Sequence, residues 1–300
     1  MRKASRIALR IVGGLAALVV LVLVASWFVS GSRLRRHYDV AGTAVHVPTD
    51  SASVARGKVL ATLYGCSGCH TPTLAGQTMI DEFPFARLPS ANLTRGRGGI
   101  GGAYTDADWE RAIRHGIRKD GTPLFIMPAN AFNRMSDDEL GRLIAYVKSV
   151  PPVDAFPASR TIYPLARVLH TFGAPLVSAE LIDHTKQVNP QPPAGATLAY
   201  GEYVVGACRF CHGEDLKGQK VGGEPGAPPS PAIDATSIVG KWTEEQFVRT
   251  LRTGVTPEGW KLRPEYMPWP AVGQLRDDEL HAVYLYLHQT GTTPASRAAL

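Results

Sequence analysis

Two pentads of the form Cys-x-x-Cys-His stand 142 residues apart in this 300-residue chain, and they use all four of its cysteines. They are Cys66-Ser67-Gly68-Cys69-His70 and Cys208-Arg209-Phe210-Cys211-His212. Cysteines two residues apart put both sulfurs on one side of a tight helical turn. The adjacent histidine then reaches the metal of any ring that those sulfurs hold. This is the chemistry of covalent c-type haem attachment, with thioethers from Cys66 and Cys69, and from Cys208 and Cys211, and with His70 and His212 as iron ligands. Competing uses of the motif fit less well. A zinc ribbon sets its cysteine pairs about 15–20 residues apart, and a thioredoxin-like redox pair needs strand–helix alternation around it. A disulfide within either pair would be strained.

The elements that must position these groups occur twice. Tyr104-Thr105-Asp106-Ala107-Asp108-Trp109 corresponds to Trp242-Thr243-Glu244-Glu245-Gln246-Phe247, and Ile113-Arg114-His115-Gly116 corresponds to Leu251-Arg252-Thr253-Gly254. Each stretch reads as a helix that starts at a threonine cap and ends at a glycine; Thr243 with Gln246 is a capping box and Thr105 with Asp106 and Asp108 a looser one. A last helix follows in both halves. Leu140, Leu143, Ile144 and Val147, and likewise Leu280, Val283, Tyr284 and Leu287, stand at i, i+3, i+4, i+7 and form one apolar stripe per helix. Ser136 with Glu139 reads as the capping box of the first of these and Asp277 as the cap of the second.

The repeat assigns the remaining iron ligands. Met127-Pro128 and Met267-Pro268 align at an offset of 140 and follow His70 and His212 by 57 and 55 residues. A proline there stiffens the loop that holds a thioether against iron. Met135 aligns with Leu275 and reads as an apolar staple on Leu140; Met79 has no counterpart and reads as loop or core. The other seven histidines, His115 among them, read as surface or locally bonded groups, since Thr253 stands opposite His115. Asn92, Thr94, Arg114 and Arg252 are candidate donors to haem propionates.

Residues 1–36 form a separate unit. An apolar run from Ile11 to Val29 lies between Arg2, Lys3, Arg6 and Arg10 on one side and Arg33, Arg35 and Arg36 on the other. As a helix it spans about 28 Å, near the thickness of a bilayer core, with Trp27 where interfacial aromatics are favoured. It reads as an uncleaved membrane anchor, with a removed signal peptide as the competing reading. Since c-type haem is attached on the outer face of the membrane, the body is expected in the periplasm, on an inner-membrane anchor. Seven of the 32 basic residues and none of the 26 acidic ones fall in residues 1–36, so the rest carries 25 against 26, near −1. The net charge of +6 therefore belongs to the anchor, and the body offers no basic cluster for nucleic acid.

The expected fold is all-α: two tandem helical domains, each wrapped around one covalent haem, behind an N-terminal transmembrane helix. The boundaries are 1–36 anchor, 37–50 juxtamembrane segment, 51–153 first domain, 154–194 connecting strap, 195–293 second domain and 294–300 tail. Glycine and proline together make up about 18% of the chain, against a usual total near 12%, which suits loop-rich packing around large ligands. The strap holds six prolines, yet Leu165, Val168, Leu169 and Phe172 form one helical stripe, so it is expected to be ordered and packed through that stripe.

Both pentads, Asn92-Leu93-Thr94, Gly116 followed by Asp120-Gly121, both Met-Pro pairs and the two Asp-Asp-Glu-Leu helix starts resemble a membrane-anchored dihaem member of the class I cytochrome c family, similar to cytochrome subunits that serve periplasmic dehydrogenases. The resemblance covers residues 50–153 and 197–290. It implies two covalent haem c groups with His/Met ligation, His70 with Met127 and His212 with Met267, one per domain. It also implies an electron carrier rather than an enzyme, with a dehydrogenase as donor and an oxidase or soluble cytochrome as acceptor. Filled axial positions leave no open iron site for a substrate. The alternative is a dihaem enzyme such as a peroxidase, which requires one displaceable distal ligand.

Overall fold

A computed structural model of the protein describes residues 2–185, 191–220 and 228–289; residues 186–190 of the strap and the 294–300 tail lie outside the described residues. In chain order the elements are α1 (Arg2–Leu34), α2 (Ser51–Leu63), α3 (Cys66–His70), β1 (Thr78–Glu82), β2 (Ala86–Pro89), α4 (Asp106–His115), α5 (Ala129–Phe132) and α6 (Asp137–Ser149). There follow β3 (Thr161–Ile162), α7 (Pro164–Thr171), α8 (Leu198–Val205), α9 (Arg209–His212), α10 (Glu244–Thr253), α11 (Trp269–Val272) and α12 (Asp277–Gln289). α1 contains one 30-residue stretch, Ser5–Leu34, long and apolar enough to cross a membrane.

The chain divides into two compact units. One comprises Met1–Ala44, Cys69–Asn130 and Val150–Thr185; the other comprises Val45–Gly68, Ala131–Ser149 and Lys186–Leu300. This division crosses the expected 51–153 boundary, because α2 and α6 group with the second half of the chain. Two contacts explain the grouping. Leu63 packs on the core formed by Tyr200, Val204, Leu251, Leu275, Leu280 and Val283. Arg56 of α2 bonds both Glu139 of α6 and Glu279 of α12, each at 2.7 Å.

The expected all-α fold is amended by a small sheet in the first unit, ordered β1-β2-β3. β1 pairs antiparallel with β2 (Ile80 opposite Leu88, Glu82 opposite Ala86), and β2 pairs antiparallel with β3 (Ala86 opposite Ile162). Met79, read as loop or core, is an exposed strand residue of β1. β1 escapes a sequence reading because four of its five side chains are exposed, so no alternation marks it.

The repeated helices carry the expected ends. Thr105 and Thr243 both make complete capping boxes, with Asp108 and Gln246, and Gly116 and Gly254 close α4 and α10 in left-handed conformations. Ser136 accepts from the Glu139 N–H at 3.2 Å, but the expected box is only half made, because the Ser136 N–H donates to Tyr203 Oη at 3.0 Å and the Glu139 carboxylate accepts from Arg56 and Tyr203. Asp277 is not the cap of α12. It is the first helical residue and accepts from Arg252 at 2.6 Å, while the Glu279 carboxylate turns back to accept from the Arg276 N–H at 2.8 Å. Arg276, standing where Ser136 stands in the first repeat, has no short acceptor for this role.

A close helix crossing precedes each pentad. Gly57 of α2 lies against α6, where a Cβ would come within 2.0 Å of the Arg142 carbonyl oxygen; Gly201 of α8 lies against α12, where a Cβ would meet the Ala282 oxygen at 2.1 Å. A side chain at either position would push the helices apart. Each pentad thus starts from a helix seated on the last helix of its repeat.

Candidate haem sites

Each histidine of a pentad is aimed by a carbonyl. His70 Nδ1 lies 2.8 Å from the Ala91 oxygen, and His212 Nδ1 lies 2.8 Å from the Pro231 oxygen. A carbonyl only accepts, so Nδ1 carries the proton in both rings and Nε2 keeps its lone pair. Among the described residues neither Nε2 has a hydrogen-bond partner. Burial holds both imidazoles below the ordinary histidine pKa, against the opposing pull of the carbonyl bond, so the rings are neutral at neutral pH. A neutral imidazole with a fixed tautomer and a free Nε2 is the form that ligates a metal.

The backbone that delivers these carbonyls is duplicated. The Gly76 N–H donates to the His70 carbonyl at 2.9 Å and the Gly218 N–H to the His212 carbonyl at 2.8 Å. Leu74 and Leu216 sit buried in left-handed conformations, and their carbonyls accept from Leu93 and Ile233 at 2.8 and 2.9 Å. Gln77 and Gln219 return side-chain N–H bonds to the pentads, at the Cys69 and Phe210 carbonyls. The sequence reading missed this frame. Its signal is Leu-x-Gly-Gln, present at 74–77 and again at 216–219, at the same offset of 142 that separates the pentads.

None of the four cysteines is in a disulfide. Burial raises Cys69 and Cys211 above the ordinary thiol pKa. Cys208 is pushed up to about 11, by burial first and then by the neighbouring Cys211. Reactive redox cysteines are lowered instead, so these thiols are not poised for disulfide exchange. Two thiols beside an imidazole of fixed tautomer suit the attachment of a covalent haem.

The structure puts Met127 in the same compact unit as His70, and Met267 in that of His212. Both methionines make the same turn: the Met127 carbonyl accepts from Ala129 N–H at 2.9 Å and the Met267 carbonyl from Trp269 N–H at 2.6 Å. Ser178 Oγ also donates to the Met127 carbonyl. Met135 is buried. His115 bonds His184 through facing Nδ1 atoms 3.0 Å apart.

The propionate candidates are committed elsewhere. Asn92 donates to the Val153 and Ala155 carbonyls at 2.8 and 3.2 Å, and accepts from Thr94. Arg114 is buried against Glu110 at 3.0 Å. Arg252 donates to the Gly273 carbonyl and to Asp277. These bonds shape loops and helix ends, while among the described residues the Arg114 Nε–H stays buried without an acceptor.

The repeated helices, the paired pentads and the carbonyl-oriented histidines fit the donor chemistry of a c-type cytochrome, and a comparison agrees for the first half of the chain. Residues 54–151 match the family model for Cytochrome c, so this chain carries a cytochrome c domain. It is similar, at 30% identity over 290 residues and 86% of its length, to the alcohol dehydrogenase (quinone) cytochrome c subunit of Gluconacetobacter polyoxogenes. It is 28% identical to the fructose dehydrogenase cytochrome subunit of Gluconobacter japonicus over 78% of its length. To the gluconate 2-dehydrogenase cytochrome c subunit of Pantoea cypripedii it is 25% identical, over 83%. The chain spans 60, 52 and 62% of these three relatives.

Proposed function

We propose that the chain is a dihaem electron carrier built from two tandem cytochrome c domains, 51–153 and 195–293. In this reading it serves a dehydrogenase on the periplasmic side of the inner membrane and is held there by α1. The observation that supports it most is the duplicated histidine frame, in which Nδ1 is bonded to a loop carbonyl at 2.8 Å and Nε2 is left free. Bound haem c supplies a one-electron iron couple whose potential is raised by a methionine ligand. Cys66 and Cys69, and Cys208 and Cys211, hold the two porphyrins through thioethers. His70 with Met127, and His212 with Met267, would hold the two irons. The Ala91 and Pro231 carbonyls fix the imidazole planes and raise their basicity.

With the axial positions filled, the chain takes and gives single electrons with little rearrangement and offers no iron site to a substrate. The dehydrogenase subunits to which it is similar support a dehydrogenase donor; an oxidase or soluble cytochrome is the acceptor in this scheme.

Mass spectrometry of the chain matured in a periplasm tests the count. Two covalent haems are expected, falling to one in Cys66→Ala/Cys69→Ala and to one in Cys208→Ala/Cys211→Ala. Retention of both haems in either variant defeats the assignment. Carbon monoxide should leave the reduced spectrum unchanged; rapid binding to one haem would favour the peroxidase-like alternative.

A further inference from the structure

α7 has one committed face and one bare face. Ala166 and His170 are fully buried, Arg167 lies over the Trp27 ring at 3.9 Å and donates to Ser30 Oγ at 3.1 Å, and Arg33 donates to the His170 carbonyl at 2.7 Å. α1 meets this face with Ser26, Ser30 and Leu34, spaced by four and all buried. Two serines inside an otherwise apolar helix are small enough for a neighbouring backbone to approach. The contact thus falls at the C-terminal end of the apolar run, where the helix would leave the hydrocarbon.

The bare face consists of Leu165, Leu169 and Phe172, at i, i+4 and i+7, exposed to 41, 41 and 74%. The sequence marks these three, together with Val168, as the packing face of the strap; Val168 is half-buried and the other three are exposed. Beside this stripe the lower end of α1 is bare as well, with Trp27, Phe28 and Val29 exposed. Basic groups gather around Arg167 on the other side of α7, where Arg35 and Arg160 are both near enough to oppose its charge. A helix with an apolar stripe on one face and arginines on the other has the composition of a helix lying in the plane of an anionic bilayer surface.

We propose that α7 is an interfacial foot: Leu165, Leu169 and Phe172 enter the acyl edge of the leaflet from which α1 emerges, while the arginines face headgroup phosphates. The occupant of the bare face is lipid. The foot gives the first unit a second hold on the bilayer and fixes its orientation, which a single helix with a flexible exit does not. This inference rests on reading α1 as a membrane anchor.

Photocrosslinking of the full-length, haem-loaded chain tests it, in vesicles of phosphatidylcholine with a minority of phosphatidylglycerol. Benzoylphenylalanine is placed singly at Val19 in α1, at Leu169, at Phe172, and at exposed Glu245 as a measure of indiscriminate labelling. An unchanged haem spectrum checks that each variant is folded. Lipid adducts at 19, 169 and 172 are expected about tenfold above those at 245. Adducts at 19 with 169 and 172 no higher than 245 overturn the foot and leave the anchor standing. Adducts at 169 and 172 without any at 19 keep the foot and remove the spanning helix. Absence at all three overturns both.

Discussion

Behind His70 the Ala91 carbonyl takes the Nδ1 proton at 2.8 Å, and behind His212 the Pro231 carbonyl does so at the same distance. The two loops also share the buried left-handed leucine, the glycine bond to the histidine carbonyl and the glutamine that returns to the pentad. They differ in how they are tied to the rest of the chain. In the first, Asn92 accepts from Thr94 Oγ1 at 2.8 Å and spends its amide hydrogens on the Val153 and Ala155 carbonyls. In the second, Asp234 accepts from Thr236 Oγ1 at 2.9 Å, and a carboxylate has no hydrogens to give. The groups that address the histidine are repeated, whereas those that address the surroundings are particular to each half. Duplicated chemistry with individual settings is a means of giving two equivalent centres different potentials.

The largest effect expected is at the point where the repeats share one group. Arg56 binds Glu139 and Glu279, the equivalent glutamates of α6 and α12, and both carboxylates are buried. Glu139 also accepts from Tyr203 Oη at 2.7 Å, and Glu279 from Tyr200 Oη at 3.0 Å. Arg56→Ala strands two buried carboxylates and is expected to cost about 3–5 kcal/mol. Arg276→Ala removes a half-exposed group that pairs with Glu279 but not Glu139, and otherwise bonds partly exposed Asp278 and Tyr200 Oη, and it should cost about 0–1 kcal/mol. Urea unfolding of the haem-loaded variants measures both. Equal losses would mean that Arg56 does not hold the two helices together.

Next in size is the effect of the methionines. Met127→Ala and Met267→Ala should each leave both haems attached and lower one potential, by on the order of 100 mV within the roughly 0.8 V range that axial ligands control. For one electron that corresponds to about 2.3 kcal/mol. Spectroelectrochemical titration resolves the two centres. A drop in both potentials from a single substitution would contradict one methionine per haem.

What the sequence made legible is what local chemistry writes into it. The pentads, the threonine caps, the closing glycines and the apolar stripes of α6 and α12 depend on residues within one or two turns of each other. Arg56 was not legible, because its partners lie 83 and 223 positions away and nothing in its own neighbourhood marks the pairing. The strap was legible as a helix but with its faces inverted. Leu165, Leu169 and Phe172 follow the pattern of a buried stripe, yet α1 presents serines and an arginine, and so selects Ala166, Arg167 and His170 instead. Periodicity assumes an apolar partner, and here the partner is polar.

The Asn92 and Asp234 pair tests directly whether the loops are tied differently. Asn92→Asp removes the amide donor to the Val153 and Ala155 carbonyls, of which only Val153 keeps a second donor in Thr94 Oγ1, and brings a carboxylate toward them, at a cost of about 1–3 kcal/mol. Asp234→Asn keeps the acceptor used by Thr236 and is expected to change stability by less than about 1 kcal/mol. The same unfolding measurement compares them. A larger loss from Asp234→Asn would reverse the assignment of roles.

The smallest effects are at the helix starts, and there the halves should behave alike in one place and unlike in another. Thr105→Ala and Thr243→Ala each remove a side chain that accepts from the third helical N–H of a complete capping box, so each should cost about 1 kcal/mol. At the last helices the symmetry ends. Ser136→Ala deprives the Glu139 N–H of its acceptor and should also cost about 1 kcal/mol. Asp277→Ala removes a highly exposed side chain whose bond is to Arg252, so its cost should stay below about 0.5 kcal/mol. If Asp277→Ala proved as costly as Ser136→Ala, the aspartate would be supporting the start of α12 after all, and the turn of Glu279 back to the Arg276 N–H could not be what closes that end.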